Sequence, residues 1–168
     1  MRGSYHENQG PQEFISRSQE KRIAIQKGQK MEPNLLTVYG ILKRGYSLDL
    51  EREGCKFLGT VQVPNTNLYS IGEGVGLLRE DGGLSFGELF EVPERLWRWL
   101  DGIEGHPYTY RRELITVWLE GEPQPDFSIE DGPAVESWIY VHQRPEYFSG
   151  KIESGRYEQG GHYARGRD

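Results

Sequence analysis

Short runs of β-branched, leucine and aromatic residues recur along the chain between glycine-containing turns, so most of its apolar surface can be buried only by pairing strands. The runs lie at 35–39, 57–63, 84–92, 108–119 and 135–141. We expect Pro64-Asn65 to end the second run and Asp81-Gly82-Gly83 to form the turn before the third. At least five strands are therefore predicted.

One segment has helical periodicity instead. Pro93 suits the first helical position because its φ is fixed and it lacks an N–H group. An apolar stripe then follows with the spacing i, i+3, i+4 and i+7. It consists of Leu96, Trp99, Leu100 and Ile103. Continued helical twist would place Glu104 at the border of the buried face, just before Gly105.

Length, charge and composition exclude several classes of protein. The chain has 168 residues and a net charge of −6, which suits one domain and disfavours binding to nucleic acid. We expect neither a membrane span nor a secretory signal, because no long apolar block occurs, and we therefore expect a cytoplasmic protein. With one cysteine and four scattered histidines, no metal site of the usual spacing is predicted.

The chain divides by composition near residue 34. Residues 1–34 carry six basic and four acidic side chains and few apolar residues, so we interpret them as a polar, flexible N-terminal extension. Residues 35–158 are predicted to form the folded domain. The glycine-containing segment 159–168 is predicted to be a C-terminal tail.

Two segments suggest chemistry. The loop Tyr39 to Gly45 follows the first predicted strand, so its amides could form a cradle for an anion, although the glycines also fit an ordinary turn. Glu104 is bordered by apolar residues that would raise its pKa and make it a general base or acid. A solvated acid at a helix end is the alternative.

Several motifs, taken in order, resemble the gamma-glutamylcyclotransferase-like family. Tyr39-Gly40-Ile41-Leu42 resembles the Tyr-Gly-(Ser/Thr)-Leu loop of this family, and Gly87-Glu88-Leu89-Phe90-Glu91-Val92 resembles its Gly-Glu-Leu-Tyr-Glu-Val strand. Leu100-Asp101 through Glu104-Gly105 is similar to its Leu-Asp-x-x-Glu-Gly segment. The Tyr110-Arg111-Arg112 and Ile152-Glu153-Ser154-Gly155 segments complete the series. The resemblance covers residues 35 to about 158, and an ordered set is more specific than any single short motif.

The resemblance implies an α+β fold, a small mixed β-barrel of five or more strands with a packed helix. It also implies an enzyme that releases 5-oxoproline and a free amine from a γ-glutamyl amide, without metal or cofactor, as a monomer or homodimer. Glu104 would be the catalytic base and then acid. The substrate would be held by Tyr39, Gly40, Ile41 and Leu42, with Tyr110 lining the pocket.

One departure from the family pattern keeps an alternative open. Ile41 stands where the family usually has Ser or Thr, so any hydroxyl contact to the substrate is lost. A binding module on the same fold, which holds a metabolite or a protein without turnover, is therefore the second hypothesis.

Overall fold

The computed structural model describes residues 34–121 and 133–158, which form six strands and one α-helix. The strands are β1 Leu35–Val38, β2 Lys56–Ile71, β3 Gly74–Glu91, β4 Tyr110–Leu119, β5 Ala134–His142 and β6 Gly150–Lys151. The α-helix, α1, is Trp97–Glu104, and short 3-10 helices are Leu50–Glu53, Glu94–Leu96 and Pro145–Tyr147. Apart from Asn34, the predicted N-terminal extension lies outside the described residues, as does the predicted C-terminal tail.

Five of the strands close into a barrel. They follow the order β3-β1-β5-β4-β2, and pairing between β2 and β3 completes the ring. The β1–β5 pair is parallel and the other pairs are antiparallel, while β6 adds to the edge of β2. This arrangement confirms the predicted mixed barrel with a packed helix.

The β2–β3 hairpin is longer than the sequence pattern predicted. Neither Pro64-Asn65 nor Asp81-Gly82-Gly83 ends a strand, because both segments lie inside β2 and β3. The register shifts between Pro64 and Thr66, and the Asn65 side chain accepts a hydrogen bond from the Gly82 N–H at 2.9 Å. A bulge accommodates a proline that cannot donate to the ladder, so pairing continues past it.

The helix packs against one face of the barrel. The predicted stripe residues Leu96 and Leu100 are buried, and so is Trp97, whereas Ile103 is 43% exposed. The prediction that Ile103 belongs to the buried stripe is therefore wrong. The buried face of α1 runs instead through Trp97, Leu100 and the partly buried Glu104, at the spacing i, i+3 and i+7, so Ile103 lies at the edge of that face. The described part of the chain contains no helix with the length and hydropathy needed to cross a membrane.

The main buried cluster lies between this helix and the barrel. It combines alternate residues of β1 with residues of β3, β5 and the helical segment. Its members include Leu36, Val38, Phe90, Trp97, Leu100 and Tyr140. Because alternate residues of a strand face opposite sides, Thr37 points the other way, where its hydroxyl lies 3.0 Å from that of Ser137. Both faces of β1 are thus buried, so packing fixes the position of this strand and of the point where the next loop begins.

Candidate active site

A cavity of about 230 Å³ lies where β1 ends and α1 ends. All six residues predicted to form the site line it. They are Tyr39, Gly40, Ile41, Leu42, Glu104 and Tyr110. The structure thus brings together two segments that are separated by more than 60 positions in the sequence.

The loop after β1 offers unpaired backbone donors at this cavity. Its carbonyl groups already accept hydrogen bonds. The Gly40 carbonyl accepts from the Lys43 N–H at 3.1 Å, and the Ile41 carbonyl accepts from the Leu48 N–H at 2.9 Å. No residue in 34–121 or 133–158 accepts a hydrogen bond from the N–H of Gly40, Ile41 or Leu42. Three successive amides of cavity-lining residues thus have no acceptor within the described residues, which is one requirement of an anion cradle.

The C-terminal part of this loop is held by a partly buried carboxylate. Glu88 on β3 accepts a hydrogen bond from the Arg44 N–H at 2.8 Å, and Glu88 Oε1 also lies 4.0 Å from Nε of the Arg44 side chain. Burial raises the pKa of Glu88, while the contacts with Arg44 act in the opposite direction. Glu88 therefore fixes the loop position and does not line the cavity.

Close packing explains the glycine in this loop. A Cβ atom at Gly40 would lie 2.8 Å from Cγ1 of Val75, which also lines the cavity. That separation is shorter than a normal van der Waals contact, so a larger residue would displace either the loop or β3. Glycine is required here for close approach rather than for an unusual φ.

Glu104 is the last residue of α1, which ends at Gly105 in the left-handed conformation, with φ 67°. The Glu104 side chain is partly buried, and this desolvation raises its pKa to about 7. No group in the described ranges donates a hydrogen bond to its carboxylate or forms an ion pair with it. The side chain is therefore a carboxylate that can both accept and release a proton near neutral pH.

Two tyrosines line the cavity, and the hydroxyl group of each already donates a hydrogen bond to a backbone carbonyl. The Tyr39 hydroxyl donates to the Tyr140 carbonyl at 2.6 Å, and the Tyr110 hydroxyl donates to the Val75 carbonyl at 2.8 Å. Burial raises the pKa of both phenols, and the charge of Glu104 contributes in the same direction. Both side chains therefore stay neutral and define the shape of the cavity.

A set of side chains at and beside the cavity holds the helix in place. Asp101 on α1 accepts hydrogen bonds from the Tyr140 hydroxyl at 2.6 Å and from Arg112 Nη2 at 3.0 Å. The Arg112 guanidinium also lies over the Trp97 and Trp138 rings, at 4.7 and 4.9 Å from their centroids. These contacts connect α1 to β4 and β5 and so fix the end of the helix that carries Glu104.

Comparison with known proteins assigns the family. The family model described as gamma-glutamyl cyclotransferase, AIG2-like, matches residues 36–159. The chain belongs to this family. The resemblance noted from the sequence motifs is thereby confirmed.

Two curated relatives support the assignment to the gamma-glutamyl cyclotransferase family. The gamma-glutamylcyclotransferase family protein YtfP of Escherichia coli K12 is 27% identical over 118 residues, which cover 70% of this chain and 90% of YtfP. A Methanocaldococcus jannaschii protein described as a candidate gamma-glutamylcyclotransferase is also 27% identical, over 72% of this chain and 92% of its own length.

Solved structures show the same fold at lower sequence identity. An AIG2-like protein from Mus musculus superposes with a TM-score of 0.61 and 24% identity, covering 78% of this chain and 92% of the mouse chain. A structure named gamma-glutamyl cyclotransferase has a TM-score of 0.51 and 13% identity, over 71% of this chain and 70% of its own. At these identities the likeness concerns the fold alone.

Some residues that line this cavity were not predicted from the sequence. Tyr140, Leu48 and Ile103 line it as well. The alternation that predicted β5 comes from one face, Val135, Ser137, Ile139 and Val141. Tyr140 lies on the opposite face, so this periodicity did not single it out. Within residues 34–121 and 133–158, no group of three or more His, Cys, Asp or Glu side chains is placed to hold a metal ion.

Proposed function

We propose that the protein is an enzyme that cyclises a γ-glutamyl amide and releases 5-oxoproline and a free amine. One observation carries this proposal: Glu104, with a pKa of about 7, shares a small cavity with the unpaired amides of the loop after β1. Membership of the gamma-glutamyl cyclotransferase family supports the reaction class.

The loop would hold the glutamyl group. The N–H groups of Gly40, Ile41 and Leu42 are free within the described residues, and oriented amides bind negatively charged oxygens. In this arrangement the main chain carries the contact, so Ile41 can replace a hydroxyl-bearing residue without loss of the donor. Tyr39 and Tyr110 would restrict the substrate to a folded conformation in which its amine lies near its own side-chain carbonyl.

The reaction is an exchange of one C–N bond for another within a single molecule. Ionised Glu104 removes a proton from the α-ammonium group, and the neutral amine then attacks the side-chain carbonyl carbon. The new ring C–N bond forms, and the C–N bond to the leaving amine breaks as Glu104 returns its proton to that nitrogen. The ring nitrogen then loses a second proton, and the released amine takes up this proton to become an ammonium ion. One acid–base group is sufficient for this sequence, so we propose that no metal or cofactor takes part.

The expected catalytic contribution of Glu104 is large. General acid–base catalysis contributes about 10²- to 10⁴-fold to a rate. The pKa of Glu104 is close to neutral pH, where a base keeps both a substantial ionised fraction and enough basicity to take the proton. The remaining acceleration would come from orientation of the substrate and from amides directed at the developing oxyanion.

The proposal also includes a small-molecule γ-glutamyl substrate, a cytoplasmic location and a monomeric or homodimeric state. Family membership supports the substrate class.

The decisive experiment measures 5-oxoproline release from a panel of γ-glutamyl dipeptides and γ-glutamyl amines. We expect turnover by the wild type and a loss of about 10²-fold or more in kcat for Glu104→Gln, which keeps the shape but removes the base. Glu94→Gln is the matched control, because Glu94 is an exposed acid at the other end of the same helical segment. Equal turnover by Glu104→Gln and the wild type would refute the role of Glu104. Retained binding without turnover of any compound would instead indicate the binding module.

A further inference from the structure

The last described segment of the chain, residues 152–158, is attached to the β2–β3 hairpin. The Gly155 carbonyl accepts a hydrogen bond from the Phe86 N–H on β3 at 2.9 Å. Close packing fixes the segment further, because a Cβ atom at Gly155 would lie 2.5 Å from the Leu84 carbonyl oxygen. This attachment determines the position of Tyr157, two residues later.

Tyr157 is 8% exposed and forms hydrogen bonds with two separate parts of the chain. Its carbonyl oxygen accepts from Lys43 Nζ at 2.7 Å and from the Tyr46 hydroxyl at 3.4 Å. Its own hydroxyl donates to the Glu73 carbonyl at 3.0 Å. The centroids of the Tyr46 and Tyr157 rings lie 6.2 Å apart. Tyr157 therefore connects the loop after β1 with the turn between β2 and β3.

Both ends of this connection adjoin the cavity. Lys43 directly follows Leu42, whose N–H is one of the amides that have no acceptor within the described residues. Glu73 directly precedes Gly74. Leu42 and Gly74 line the cavity, whereas Tyr157 does not. Tyr157 can therefore influence the cavity only through the two backbone segments that it connects.

The proposed base is held by a different set of contacts. Glu104 ends α1, and this helix is attached through Asp101 to Tyr140 and Arg112. None of these contacts involves Tyr157. Loss of a Tyr157 contact would thus disturb the side of the cavity that carries the amides and leave the base in place.

We propose that Tyr157 is a positioning residue that holds the loop after β1 in the arrangement that binds the glutamyl group. This inference rests on the proposed function and adds a residue that acts without touching the substrate. When the arrangement competent for binding is populated only in part, the apparent dissociation constant rises by the reciprocal of that fraction. A loop released from Tyr157 therefore binds substrate more weakly, while the bound complex, and with it kcat, changes little.

Two substitutions break the two ends of the connection separately. Tyr157→Phe removes the hydroxyl that donates to the Glu73 carbonyl, and Lys43→Met removes the ammonium that donates to the Tyr157 carbonyl. Steady-state kinetics of the full-length chain would use the compound in the γ-glutamyl panel that the wild type turns over fastest. We expect each substitution to raise KM about three- to tenfold, the effect of one lost hydrogen bond, with kcat within about twofold of the wild type. Because KM does not depend on the fraction of enzyme that is folded, lower stability alone would not give this result.

The double variant distinguishes a connection from two independent local contacts. Once one end is broken, the other end no longer restrains the loop against the turn. The double variant should therefore raise KM by about as much as the larger single effect, whereas the effects of independent contacts would multiply. Tyr147→Phe is the control, since Tyr147 is 65% exposed and does not line the cavity, and we expect it to have the kinetics of the wild type.

The outcomes separate this inference from the proposed function. A wild-type KM in Tyr157→Phe would overturn the inference, and so would a fall in kcat with an unchanged KM. A double variant whose KM rises by the product of the two single effects would overturn the connecting role of Tyr157. In each of these cases, turnover by the wild type leaves the proposed function standing. Absence of turnover by the wild type would refute the proposed function, and the inference with it.

Discussion

The Tyr140 hydroxyl donates a 2.6 Å hydrogen bond to Oδ1 of Asp101, three residues before Glu104 on the same helix. The other carboxylate oxygen of Asp101 accepts from Arg112 on β4. The carboxylate of Asp101 is thus held from two neighbouring strands. Because α1 has only eight residues, this attachment determines where its last residue lies relative to the loop after β1.

Removal of this hydroxyl should affect the rate more than substrate binding. In Tyr140→Phe the link from β5 to α1 is lost, while the Arg112 contact remains. We expect kcat to fall by up to about 100-fold with a smaller change in KM, because catalysis is sensitive to misplacement of a reacting group by about 1 Å. Tyr108→Phe is the control, since Tyr108 is 76% exposed. A wild-type kcat in Tyr140→Phe would contradict a positioning role.

The activity should depend on the ionisation of Glu104. Burial raises its pKa to about 7, and the proposed base is the ionised form. We therefore expect kcat/KM for a γ-glutamyl amide to rise with pH between about 6 and 8, with an apparent pKa near 7. Steady-state kinetics from pH 5 to 9 measures this profile. A rate that stays constant down to pH 5 would show that a group with a lower pKa limits the reaction.

The same pKa has a consequence for stability. Glu104 binds its proton more tightly in the folded chain than in the unfolded chain, so its contribution to the free energy of unfolding falls as the pH rises from about 4.5 to 7. We expect Glu104→Gln to be more stable than the wild type by about 1–3 kcal/mol at pH 8 and about equal to it at pH 4.5. Urea denaturation of both proteins at the two pH values provides the comparison. A variant less stable than the wild type at pH 8 would contradict the raised pKa.

Gly40 and Gly102 offer a matched pair of substitutions. Gly40→Ala places a methyl group 2.8 Å from Val75, and we expect a loss of about 1–3 kcal/mol of stability together with a raised KM. A methyl group at Gly102, inside α1, meets nothing within 4 Å, so Gly102→Ala should stabilise the chain by about 0.5–1 kcal/mol. Thermal unfolding and steady-state kinetics of both variants would test this. Equal effects of the two substitutions would show that close packing at the loop is unimportant.

The strands and the helix could largely be predicted because their apolar patterns are local. The long β2–β3 hairpin could not, since Pro64 and the glycines near residue 82 have the composition of turns. Those local preferences were overridden by pairing between the strands, with the irregularity taken up in a bulge. Element type was therefore easier to predict than element length.

The candidate site was predicted in part for a similar reason. The loop after β1 and Glu104 were predicted from motifs that occur in the family's order, but no local sequence pattern indicates that the two segments lie close together. Closure of the barrel and packing of α1 bring them to one cavity. Tyr140 was not predicted because both faces of β5 are buried from Ile139 to His142, whereas alternation identifies only one face as the core.

The exposure of Leu48 and Ile103 has an evolutionary consequence. Substitutions at side chains more than a third exposed usually change stability little, whereas Leu36, Phe90 and Leu100 of the main buried cluster are fully buried. Substitutions at these exposed, cavity-lining positions can therefore change which substrates fit while the buried cluster that supports the cavity stays unchanged. Under the proposed function, divergence towards different released amines would require no new architecture, only a few surface replacements.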